Sequence, residues 1–149
     1  MEGQQNVRFG LRGIKEESFS LANDQIIDGN INVANLQYKY STVTEISPKE
    51  DKILIRASLS YFSSEVHYFA LVITMEYFVE NLRGVVSYNL DSRQVSFNPN
   101  LIPTFLNITC GTVRGILAEK VKGKTISQFP LPLLPLAALE KNNNITIKD

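Results

Sequence analysis

The chain has 149 residues, 44% of them hydrophobic and 20% charged, the balance of one folded globular domain rather than of a disordered segment. Lys plus Arg total 15 and Asp plus Glu total 15, so no basic surplus is left to neutralise phosphates, and nucleic acid is not an expected partner. One cysteine, Cys110, excludes an intramolecular disulfide, and one histidine, His67, leaves no His/Cys set for a zinc site.

The opening MEGQQNVRFG lacks the apolar core of a signal peptide. The longest apolar run, Val66 to Val79, is interrupted by Glu76 and is too short to span a bilayer. The expectation is a soluble, cytoplasmic protein, not inserted in a membrane, with a single domain over residues 1–149.

From Val7 to Leu21 the apolar residues Val7, Phe9, Leu11, Phe19 and Leu21 fall on odd positions, the period of a strand. Gly13 to Glu17 breaks the pattern and reads as a bulge or bend. Ala22 to Asn35 carries turn residues (Asn23, Asp24, Asp28, Gly29, Asn30), yet it also holds Ile26, Ile27, Ile31 and Val33, unusual in a loop that only faces water.

The second strand alternates Leu36, Tyr38, Tyr40, Thr44 and Ile46 with polar residues, as a sheet with one buried face requires. Ser47-Pro48-Lys49-Glu50-Asp51 is turn chemistry. The third strand runs from Lys52 to Phe62, and a short turn at Ser63-Ser64 leads to a fourth, Glu65 to Val79, so the sheet is expected to be antiparallel. The fourth strand is apolar on both faces. A second apolar face needs a cover, and another copy of the chain is the expected one. Leu82 to Ser96 reads either as a small hairpin, Val85-Val86 against Val95-Phe97, or as an irregular connector.

A helix is predicted from about Pro99 to Val121, with Asn98 as N-cap and a stripe of Leu101, Phe105, Ile108, Thr112, Ile116 and Lys120. Gly111 and Gly115 would let a neighbouring backbone approach closely. Lys120, Lys122 and Lys124 suit a helix C-terminus, where the dipole favours cations. Phe129-Pro130-Leu131-Pro132-Leu133-Leu134-Pro135-Leu136 forbids a helix, so it is expected as an extended segment laid on the body of the protein. Ala137 to Lys141 adds a helical turn, and Asn142 to Asp149 reads as polar and frayed.

The order of these elements, with their local motifs, resembles the SecB family of protein-export chaperones. Phe9-Gly-Leu11-Arg-Gly-Ile14 with Phe19-Ser-Leu21 is similar to the family's opening strand, F-x-I-x-x-I followed by I-S-F. Asn107-Ile108 with Val113-Arg114 stands where the family has N-I-L-F-P-Y-A-R, and Leu131-Pro-Leu133-Leu-Pro135 looks like its L-N-L-A-P.

The resemblance, from about Val7 to Leu139, implies an α+β fold. Its sheet has four antiparallel strands, with a long helix packed on one face and an extended Leu/Pro segment after it. It implies assembly with itself as a dimer or a dimer of dimers (a homotetramer). The function it implies is ATP-independent holding of unfolded or extended polypeptide, in protein export and transport. The family's grooves are lined by the crossover loop and the C-terminal region. That makes Ile26, Ile27, Ile31 and Val33, Leu36 and Tyr38 beyond them, and Phe129, Leu131, Leu133, Leu134 and Leu136 the candidate peptide-binding residues. The family docks the motor SecA on acidic side chains of the sheet face. The aligned positions here are Ser18, Ala22 and Val72, so engagement of SecA is doubtful. SecB-like proteins also stabilise antitoxins in toxin–antitoxin systems, and a dedicated partner-binder of that kind is the alternative.

Catalytic chemistry is not expected, nor is a cofactor or a bound metal. No phosphate loop, dinucleotide fingerprint or G-x-S-x-G elbow occurs. His67 reads as a half-exposed sheet residue, and Cys110 as a small buried hydrophobe. Asp24 and Asp28 are too weak a pair to indicate acid–base work. The aromatic residues of the third and fourth strands read as core and subunit packing or as groove lining. A small-ligand or enzymatic domain would need a closed pocket with converging polar groups.

Overall fold

The computed structural model describes residues 8–23, 35–63, 66–82, 87–89, 94–96, 101–129 and 131–148. Its centre is a sheet of β1 (Phe9–Leu21), β2 (Gln37–Ser47), β3 (Lys52–Phe62), β4 (His67–Val79) and a short β7 (Asn143–Ile147). The spatial order is β1-β4-β3-β2-β7. A second, two-stranded sheet joins β5 (Ser87–Asn89) to β6 (Gln94–Ser96). A small hairpin is thus formed within that segment, while Val85, Val86 and Phe97 of the predicted pairing lie outside the described residues. Among the described residues, one long helix, α1 (Leu101–Lys120), and a short one, α2 (Leu136–Lys141), accompany the sheets.

The alternation along β2, β3 and β4 does what it predicts. Ile53, Ile55, Ala57, Leu59 and Tyr61 of β3 and Phe69, Leu71, Ile73, Met75, Tyr77 and Val79 of β4 are buried on one face, where burial of each large side chain contributes roughly 1.5–3 kcal/mol. The β2–β3 turn places Asp51 in the left-handed region (φ 51°), which aspartate tolerates. Its carboxylate accepts a 2.9 Å hydrogen bond from the Leu82 amide, and its carbonyl accepts one from the Val79 amide. One residue thus ties the turn to both sides of the end of β4.

The broken pattern in β1 comes from two bulges. Pairing to β4 slips between Leu11 and Gly13 and again between Glu16 and Ser18. Each slip inserts one extra residue and reverses the alternation. As a result Phe9, Leu11, Ile14, Glu16, Phe19 and Leu21 all pair with the buried-face residues of β4. Arg12, the first extra residue, turns to the opposite face and places its guanidinium 4.7 Å from the Phe78 ring centroid.

Helix α1 covers the buried face. Its anchor is a stack of Phe105 on Tyr77, ring centroids 4.2 Å apart and nearly parallel. The Tyr77 hydroxyl lies 2.8 Å from the fully buried Thr109 hydroxyl, so neither polar group is stranded. By length and composition α1 could cross a membrane, but Phe105, Leu106, Cys110, Val113 and Leu117 are buried, as in a core helix. Gly111 and Gly115 lie on its outer side, where an added Cβ would meet nothing within 4 Å. Among the described residues, the close backbone approach expected at these glycines is not made. Gly123, at φ 78°, lets the chain leave the helix.

The expected sheet of four antiparallel strands is corrected to a mixed sheet of five. Residues 143–147, read as part of a frayed tail, add to β2 as a parallel strand. The reason lies in the side chains. Asn143 Oδ1 accepts 2.8 Å hydrogen bonds from the hydroxyls of Thr42 and Thr44, and Ile147 packs against the core.

The second face of β4 is also less open than its sequence suggests. Tyr68 is buried, Ala70, Val72 and Phe78 are half-buried, and Phe78 lies under Arg12. Within the sheet, β1 carries a more open apolar strip. Phe9, Leu11 and Ile14 remain 48%, 47% and 49% exposed on the helix side.

Candidate functional site

The register of the sheet lines up an aromatic row at the end where β2 begins. Tyr38 and Tyr61 are direct partners, as are Tyr61 and Phe69. Their ring centroids are 6.3 Å and 6.2 Å apart, and Phe19 of β1 continues the row 5.4 Å from Phe69. Such edge-to-face and tilted contacts are those aromatic quadrupoles favour. Lys120, at the end of α1, closes the row. Its ammonium lies 4.7 Å from the Phe19 ring centroid and 3.0 Å from the Glu16 carboxylate. Tyr38, at the other end, is exposed.

Arg114 joins this region to the segment after α1. Its Nε donates to the carbonyl oxygen of Leu131 at 3.3 Å, and its Nη2 donates to that of Pro132 at 2.8 Å. Prolines leave this stretch without the amide donors a helix or ladder would use, so the carbonyls on its helix side are met by a side-chain fork instead. The segment is thereby held extended along α1. Leu131 is buried and Leu134 half-buried, whereas Leu133 is 87% exposed and Leu136 is also exposed.

Between α1 and this segment lies an apolar cavity of about 260 Å³. Arg114, Leu117 and Val121 form one wall, and Ile126, Phe129 and Leu131 another. Ser127 and Arg114 are its polar members. The volume falls just short of the ~300 Å³ at which small-molecule sites usually begin and suits one large side chain.

Among the described residues three buried hydroxyls, those of Tyr40, Ser47 and Tyr61, make no hydrogen bond of good geometry. Cys110 lies against Tyr40 as a weak polar neighbour only. Burial pushes Tyr61 up to about 12, and it raises Tyr40 as well, in both cases against a partial offset from the Arg114 charge. Burial also raises the Cys110 thiol, again partly offset by Arg114, which keeps it protonated and unreactive near neutrality. His67 is exposed and stacks on Phe62, centroids 5.8 Å apart. Among the described residues, no group of three or more His, Cys, Asp or Glu could hold a metal ion.

The structure brings together part of the predicted set. Tyr38 stands on the aromatic row, Leu36 packs on the core, and Phe129 and Leu131 line the cavity. Leu133 and Leu136 face outward, and Leu134 packs on the core. Ile26, Ile27, Ile31 and Val33 lie outside the described residues. Sequence reasoning missed Arg114 as an organiser of the site, and it missed the half-exposed strip on β1. The Phe9, Leu11 and Ile14 spacing was visible, but only the bulge at Arg12 puts Ile14 on the same side as the other two.

Comparison with protein-family models, with curated proteins and with solved structures returned no match.

Proposed function

We propose that this chain is a SecB-like, ATP-independent chaperone that holds unfolded, extended polypeptide. The observation that carries this reading is the leucine-proline segment. It is fixed in an extended form by Arg114, beside an apolar cavity, with Leu133 left almost wholly in water. A core has no use for a leucine held there. An extended client, with apolar side chains and unpaired backbone groups, has use for apolar walls beside a polar rim.

Self-association belongs to the same proposal. Among the described residues no strand pairs with the outer side of β1, and Phe9, Leu11 and Ile14 are half-exposed along it. A long apolar edge of this kind attracts another chain. A second copy, giving a dimer or a dimer of dimers, fits it.

The test is suppression of aggregation. An unfolding client is mixed with the chain, without nucleotide, and light scattering is followed. Suppression near one client per few protomers, persisting in moderate salt because no charge surplus drives it, supports the reading. Unchanged scattering at excess protomer removes it.

One observation favours a narrower version, a dedicated partner-binder. The cavity suits a single large side chain, so a partner that presents one particular residue gains more than an average client. Pulldowns from cells distinguish the two by returning one partner or many.

A further inference from the structure

We propose that the edge of β2 under β7 is a strand-addition site for extended polypeptide, and that β7 is its resident, displaceable occupant. The proposal rests on the polypeptide-binding reading above and adds where the client's backbone pairs and what it must displace.

Among the described residues β7 is the one strand that runs parallel to its neighbour. It is joined to the sheet late, after α1, the leucine-proline segment and the six residues of α2. Besides the two bonds that Asn143 accepts and the packing of Ile147, its attachment is backbone. The Thr42 amide donates to the Asn142 carbonyl at 3.0 Å at one end, and the Lys148 amide donates to the Ile46 carbonyl at 2.8 Å at the other. Any extended chain offers the same groups, which is why strand addition recurs in peptide recognition.

The side chains of β7 are lightly committed. Asn144, Ile145 and Thr146 are exposed, and Asn143 and Ile147 are only half-buried. Beneath them Thr42, Thr44 and Ile46 of β2 are buried. The surface that β7 covers is therefore better formed than β7 itself.

The covered edge continues into the candidate site. Pairing with β7 begins at Thr42, and among the described residues no strand lies beside Gln37 to Ser41 on that side. A client settled at Tyr38 and following the edge of β2 would meet Asn142 and Asn143 within a few residues. It must stop there or take the place of β7.

The resident strand also indicates the client class. Asn143 satisfies two threonine hydroxyls with one oxygen, and Ile145 and Ile147 follow on the same face, opposite Thr44 and Ile46. The favoured occupant is an extended segment with a side-chain acceptor, such as Asn or Asp, followed by aliphatic residues two and four positions on. A segment with an apolar residue at the first position would leave the Thr42 and Thr44 hydroxyls unmet.

The experiment locks β7 in the full chain. Val43 and Asn144 are side by side in register and both exposed, within the range a disulfide spans between neighbouring strands. Val43→Cys with Asn144→Cys, in a Cys110→Ala background, is compared oxidised and reduced. The probe is a fluorescent, carboxymethylated, permanently unfolded protein, which carries no thiol to exchange. The oxidised form should bind at least about threefold more weakly than the reduced form, since the competent state is closed off. As a second variant, Asn143→Ala in the full chain, which removes the acceptor of the Thr42 and Thr44 hydroxyls, should loosen β7 and bind the client more tightly than the unaltered chain at an unchanged far-ultraviolet spectrum, and a peptide spanning residues 141–149 should compete with the client. Equal binding by oxidised and reduced forms overturns strand addition while leaving the chaperone reading standing. Absence of binding in every form, the unaltered chain included, overturns both.

Discussion

Arg114 Nη2 donates a 2.8 Å hydrogen bond to the carbonyl oxygen of Pro132, across an interval of 18 residues. With the Nε bond to Leu131 it is the fastening that keeps the leucine-proline segment extended on α1. Arg114→Ala should cost about 1–3 kcal/mol, the range for hydrogen bonds to a charged donor, discounted because the group is only half-buried. Urea unfolding measures that loss. Limited proteolysis should show new cleavage between Phe129 and Leu136. Arg114→Lys should recover part of the stability and little of the protection, because an ammonium lacks the planar fork.

Leu131 and Leu133 should separate stability from binding. Leu131 is buried, and Leu131→Ala should cost about 2–5 kcal/mol. Leu133 is almost fully exposed, and Leu133→Ser should change stability by no more than about 0.5 kcal/mol. If the surface holds clients, Leu133→Ser weakens capture in a binding titration at unchanged unfolding midpoint.

Tyr61 and Tyr40 predict alkaline instability. Their folded pKa values lie above the unfolded value of about 10, with Tyr61 at about 12 and Tyr40 also raised. Below pH 10 both are protonated in either state and stability is intact. Between pH 10 and 12 only the unfolded chain ionises freely, so stability falls as pH rises toward and through the folded value of Tyr61. Tyr61→Phe should shift the alkaline unfolding midpoint to higher pH. At neutral pH it should be neutral or up to about 1 kcal/mol stabilising, because it removes a buried hydroxyl without a partner. Circular dichroism across pH 8–12 reads both effects.

The open edge of β1 predicts a mass change. Leu11 and Ile14 are half-exposed, so Leu11→Lys with Ile14→Lys should cost little fold stability, within about 1 kcal/mol. If a second copy covers this strip, light scattering coupled to gel filtration gives a multiple of the monomer mass for the original chain and the monomer mass for the variant.

Strands β2, β3 and β4 and helix α1 were legible because their periodicities are long and clean, and β1 in spite of the two bulges that break its alternation. Ile53, Ile55, Ala57, Leu59 and Tyr61 leave little choice of face, and Phe105, Val113 and Leu117 mark a helix that must lie on them. The fifth strand was not. Asn143-x-Ile145-x-Ile147 is too short to stand out among polar neighbours, and its partner Thr42 is 101 residues away. The site was legible in part. Tyr38 and the leucines announced apolar surface, but which leucine is buried depends on Arg114, and nothing local ties an arginine in a helix to carbonyls 17 and 18 residues later.

The most direct test of client holding on this surface is site-specific photo-crosslinking. A photoreactive residue is placed in turn at position 38, at position 133 and, as a control, at Arg56, an exposed residue on the opposite face of the sheet. Each chain is irradiated with a labelled client, once unfolded and once native. The account predicts crosslinks from positions 38 and 133 to the unfolded client alone, and none from position 56. Equal labelling from all three positions, or labelling of native and unfolded client alike, would contradict it.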